Sequence, residues 1–126
     1  MPVEKVRYTY LVVDDMNAAV SFYRDGLGLR LKFQDGERWS EFDAGGGTTI
    51  ALSSRDESGL GVNGPIAVFQ ASDAEGLAAS LVARGAEILA RRDMGSHGRL
   101  IAIREPSGNI FQLFEKPDSR TQGAGA

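Results

Sequence analysis

An α+β protein built from two βαβββ modules is predicted by three features of the chain. The same order of segments occurs twice, each copy opens on an apolar strand followed by an acidic helix cap, and the second copy closes on the turn Glu105-Pro106-Ser107-Gly108-Asn109 before a last apolar strand. Two such modules joined tail to head would form a cup-like, partly closed mixed sheet with the helices on its outside. The boundaries read as 1–58 for the first module with the start of the linker, 59–116 for the second, and 117–126 for a flexible tail, within one structural domain.

The elements follow from period and punctuation. Val6 to Val13 is rich in β-branched and aromatic residues, and Asp14 or Asp15 offers a carboxylate to the orphan amides of a helix running from Met16 to Arg24. Ala19, Phe22 and Tyr23 share one face of that helix. The turn Gly26-Leu27-Gly28 ends it and leads into strands near Leu29 to Gln34, Arg38 to Asp43 and Thr48 to Ser54, with Asp35-Gly36 and the glycine run at 45–47 as turns. Arg55 to Gly64 is polar and glycine-bearing, as a linker is. The second copy opens with the strand Pro65 to Ala71. Ser72 and Glu75 have capping-box spacing for a helix from Asp73 to Arg84. Strands near Glu87 to Arg91, Arg99 to Arg104 and Asn109 to Glu115 complete the module. The tail from Pro117 lacks large apolar residues and is expected to be mobile.

Composition narrows the function. A chain of 126 residues buries a core without disulfides or metal. It has no cysteine, so it has neither thiolate nucleophile nor thiolate zinc site, which suits a reducing cytoplasm. The net charge is -3 with acids and bases interspersed, so no basic stripe is available for nucleic acid or an anionic membrane. Met1 to Tyr10 carries Glu4, Lys5 and Arg7 where a signal peptide needs an apolar run, and no later stretch is long enough to span a bilayer. A cytoplasmic protein is expected. Gly45-Gly46-Gly47 lacks the lysine and following helix of a phosphate loop, a Ser-His-Asp triad has only His97 to draw on, and the acids form no obvious pair.

The phrase Leu11-Val12-Val13-Asp14-Asp15 through Phe22-Tyr23-Arg24-Asp25-Gly26-Leu27-Gly28, with Pro106-Ser107-Gly108-Asn109 and the strand after it, resembles the vicinal oxygen chelate superfamily, which includes glyoxalase I, extradiol dioxygenases and bleomycin-resistance proteins. The resemblance extends over about residues 4 to 116. It implies the fold and leaves the activity open. Metal-using members place a histidine in the first strand and a glutamate in the last strand of each module. Carried onto this chain, with Gly47-Thr48 matched to Gly108-Asn109, those positions fall on Tyr8, Ile66, Ala51 and Gln112. None is a strong metal ligand, and a site of two histidines and a carboxylate needs more than the single histidine present. No metal or other cofactor is expected.

Strand alternation sorts the remaining residues. Leu11, Val13, Phe42, Ile50, Leu52, Phe111 and Leu113 share a parity that suits a core beneath the helices. The opposite parity gives the cup: Tyr8, Tyr10, Trp39, Glu41, Thr49, Ala51, Ser53, Ile66, Val68, Gln70, Leu100, Ala102, Ile110, Gln112 and Phe114. Tyr8, Tyr10, Trp39 and Phe114 offer rings to a flat guest, each worth on the order of 1 kcal/mol beyond burial. Glu41 offers a partner to a cationic group, Gln70 and Gln112 orient by hydrogen bonds, and Ser53 supplies a short hydroxyl. His97, in the loop Met94 to Gly98, is expected at the surface. The leading expectation is sequestration of a small aromatic or apolar molecule, in the manner of drug-binding members, with a homodimer implied by the resemblance alone. The competing reading is an enzyme: a lyase or dioxygenase with a shifted metal site built from Glu41, His97 and Gln112, or a metal-free isomerase with Glu41 as base.

Overall fold

A computed structural model describes residues 2–61 and 63–117, so the tail beyond Pro117 lies outside the described residues. Contacts divide the chain into two compact units, one spanning Tyr8–Ile66 and the other joining the residues up to Arg7 with the chain from Ala67 onward.

The first unit takes in β1 (Lys5–Val13) from Tyr8 on, α1 (Met16–Ser21), β2 (Arg30–Asp35), β3 (Trp39–Asp43), β4 (Thr49–Ser54) and α2 (Arg55–Ser58). Its strands lie in the order β2-β3-β4-β1, antiparallel except for the parallel β1–β4 pair. The second contains β5 (Ile66–Gln70) from Ala67 on, α3 (Ala74–Val82), β6 (Glu87–Asp93), β7 (Arg99–Arg104) and β8 (Ile110–Glu115), in the order β5-β8-β7-β6 with β5–β8 parallel. Each unit is thus a βαβββ module with a mixed sheet, the α+β class read from the sequence.

The repeat holds in register. Tyr10 lies opposite Ala51, which lies opposite Glu41; Val68 lies opposite Gln112, which lies opposite Ala102. Matching Gly47-Thr48 to Gly108-Asn109 therefore aligns structurally equivalent rows. Of the two candidate caps, Asp15 closes α1 by accepting the Ala18 amide at 3.0 Å.

Three local expectations are corrected. The first helix is α-helical only to Ser21 and continues as a π-helical turn over Phe22–Gly26, where the chain widens before Leu27. The linker starts as α2, because Ser54 caps it by accepting the Glu57 amide at 3.0 Å. The Ser72–Glu75 capping box does not form. Asp73 caps α3 through the Gly76 amide at 3.0 Å, and Glu75 instead accepts from Arg91 on β6 at 2.7 Å.

The cores lie on the predicted parity. In the first unit Met16 and Val20 of α1 pack on Phe42 and Leu52, flanked by Leu11 and Val13. In the second, Ala74 and Ala78 of α3 cover Ile101, Ile103 and Leu113, flanked by Phe69 and Phe111. The alanines bring α3 close to its sheet, and large aliphatic residues fill the strand side.

Candidate ligand-binding faces

In the first unit, the sheet face that turns away from α1 carries an aromatic cluster. Trp39 on β3 lies between two tyrosines of β1, with ring centroids 5.3 Å from Tyr8 and 5.5 Å from Tyr10, both edge-on. The strand parity that buries Phe42 beneath α1 is what turns Trp39 and Glu41 the other way. Tyr10 is buried and its hydroxyl is 3.0 Å from the Ser58 hydroxyl, while Tyr8 and Trp39 stay partly exposed. The Trp39 indole N–H donates to a Glu41 carboxylate oxygen at 2.9 Å. Ser53 lies opposite Trp39 but is fully buried and donates to the Ser54 carbonyl, so its hydroxyl is engaged within its own strand.

Strand register adds Phe33, which is absent from the sequence-derived set. It stands opposite Glu41 across the β2–β3 ladder with nearly half its surface exposed. A register shift between Leu31 and Phe33 moves it from the parity expected for β2, so simple alternation could not find it.

In the second unit, Gln70 is already held. Its carbonyl accepts from Arg7 at 3.0 Å and its amide donates to Glu4 at 2.8 Å. The same Arg7 guanidinium lies 4.1 Å above the Phe114 ring centroid, covering one of the faces expected to stack on a guest. Arg7 escapes a parity argument because its position in β1 alternates with those of Tyr8 and Tyr10. Gln112 is buried to 7 % exposure between Val68 and Ala102 and has no hydrogen-bond partner among the described residues.

The positions corresponding to metal ligands do not suit a divalent ion. Ala51 and Ile66 bring only hydrocarbon and are buried, Tyr8 brings a phenol and Gln112 a neutral carboxamide. Among the described residues, no three histidine or carboxylate side chains gather as a metal site needs. His97 is exposed at the end of the 3-10 turn Gly95–His97. Among the described residues no helix is long and apolar enough to cross a membrane.

A family model described as the Glyoxalase/Bleomycin resistance protein/Dioxygenase superfamily matches residues 5–113. No curated protein matches the chain at the sequence level. Among solved structures, methylmalonyl-CoA epimerase from Mycobacterium tuberculosis is 20% identical with a TM-score of 0.65, over 98% of this chain and 93% of that one. A variant of homoprotocatechuate 2,3-dioxygenase from B. fuscum is 22% identical with a TM-score of 0.62, over 92% of this chain, which spans only 33% of the dioxygenase. A structure described as NAD-dependent benzaldehyde dehydrogenase from Legionella pneumophila reaches a TM-score of 0.73 at 14% identity, over 87% of this chain and 98% of that one. Identities this low carry the fold and not the chemistry, and the three descriptions name three different reactions.

Proposed function

Because the chain belongs to the Glyoxalase/Bleomycin resistance protein/Dioxygenase superfamily, we propose that it binds a small flat aromatic or apolar molecule on the Tyr8–Trp39 face, without metal, and sequesters it unaltered. The carrying observation is the pairing of a partly exposed tryptophan, braced edge-on by two tyrosines, with non-ligating groups at Tyr8, Ala51, Ile66 and Gln112. A braced aromatic loses little freedom when a guest stacks on it, which favours binding by shape and area. Tyr10 supports this face from below; Ser53, engaged in its own strand, shapes its floor. In the other unit, Gln112 is the amide with hydrogen-bonding capacity to spare, while Gln70 and Phe114 hold Arg7 in place.

The test is thermal-shift screening against aromatic natural products and glutathione thioesters, followed by mass spectrometry of each ligand after incubation. The expected result is a raised melting temperature with the ligand recovered intact. Replacing Trp39 with alanine is expected to weaken binding at least tenfold, or about 1.4 kcal/mol. Catalytic conversion of a screened compound would replace sequestration with the enzyme reading. The proposal includes a homodimer, following the family resemblance, and sedimentation equilibrium at micromolar concentration tests it.

A further inference from the structure

Among the described residues, no cation pairs with the Glu41 carboxylate. Its neighbours on the β2–β3 ladder are all neutralised: Asp43 by Arg30 across the pair, and Asp35 by Arg38 three residues on. Lys32, the nearest lysine in sequence, directs its ammonium to the Thr49 hydroxyl at 3.2 Å. Glu41 has no ion-pair partner among the described residues, and its one hydrogen bond comes from the neutral Trp39 indole.

A partly buried carboxylate that holds one neutral donor keeps most of its charge uncompensated. Two aromatic residues neighbour this one. Trp39 precedes it by two residues on the same side of β3, and Phe33 stands directly across the ladder with 48% of its surface exposed. A ring face and a carboxylate edge attract the same thing, a positive charge spread over a weakly hydrated organic group. An exposed phenylalanine beside an unpaired acid has no evident role in the unit's own core, which packs on the other face of the sheet.

We propose that the Glu41, Trp39 and Phe33 corner selects guests carrying an organic cation on a flat ring, with Glu41 as the charge-reading residue and Phe33 as a second stacking wall. This rests on the aromatic-guest reading above and adds the charge class of the guest to it.

The test uses the chain's only tryptophan. In a proton–nitrogen correlation spectrum of the full chain, the single indole cross-peak reports directly on the Trp39 N–H that Glu41 accepts. It is titrated with N-methylquinolinium, with quinoline as the neutral isostere, and with naphthoate as an anion of similar shape. The expected result is a saturable shift of the indole peak, with the quinolinium bound about tenfold more tightly than quinoline and naphthoate weakest. Glu41→Gln should abolish the preference for quinolinium over quinoline. Phe33→Ala, at an exposed site that does not threaten folding, should weaken both ligands together. Equal affinity for quinolinium and quinoline, or an unchanged preference in Glu41→Gln, overturns the cation inference and leaves the aromatic-guest reading standing. No saturable shift with any of the three overturns both.

Discussion

At the scale of single residues, side chains and backbone carry different parts of the account. Trp39 acts through its side chain alone: its ring is braced by Tyr8 and Tyr10, and its indole N–H donates to Glu41. Gly98 is the clearest backbone requirement. It is buried with φ at +97°, and a Cβ there would run into the Glu115 carbonyl oxygen and the Phe114 ring. Gly98→Ala is therefore expected to destabilise the protein by about 2 kcal/mol or more, read as a lowered urea midpoint with unchanged m-value. Phe42, with no exposed surface and contacts to α1, should cost about 3–5 kcal/mol when replaced by alanine in the same assay. Residue type and parity make most of this legible from the sequence: Phe42 as core, Trp39 and Glu41 as its opposite face. What is not legible has specific causes. A ladder irregularity moves Phe33, the Arg7 guanidinium covers the Phe114 ring, and local hydrogen bonds engage Ser53 and Gln70.

At the scale of elements, helix termini decide between the expected and observed caps of α3. The Gly76 amide pairs with the Asp73 carboxylate, a stronger acceptor than the Ser72 hydroxyl, and this frees Glu75 to reach β6. Asp73→Ala is expected to cost about 1 kcal/mol in chemical denaturation, whereas Ser72→Ala should be close to neutral. The Glu75–Arg91 pair ties the first turn of α3 to β6 and has a pH signature. The hydrogen bond from Arg91 holds the Glu75 carboxyl below its ordinary range. A group depressed in the folded state stabilises above its unfolded pKa and loses that contribution as pH falls through its folded pKa. Acid titration of stability should therefore show a small loss below the ordinary carboxylate range, absent in Glu75→Gln. Because the pair is exposed, raising the salt concentration should shrink it. Strand boundaries are readable to within a residue or two from β-branched and turn residues. The π-helical turn after Ser21 and the helix after Ser54 are not, since short helical segments carry little periodicity.

At the scale of the whole molecule, the repeated module is the most legible feature, because it is written in order, caps and turns at once, and the equivalent rows Tyr10–Ala51–Glu41 and Val68–Gln112–Ala102 preserve its register. The repeat also exposes a division of character. The first module keeps aromatic and acidic groups on the face away from its helix. The second fills the matching row with Val68, Ala102 and a neutral amide. A chain whose fold is shared by proteins described as an epimerase, a dioxygenase and a dehydrogenase must take its chemistry from such substitutions. The proposed function takes these substitutions to leave no role for a metal ion. Its most direct test is elemental analysis of protein purified without chelator and without added metal. Zinc, nickel, manganese and iron are predicted to total far less than one atom per chain. A full equivalent of any of them that survives dialysis and is lost in Gln112→Leu would contradict the account.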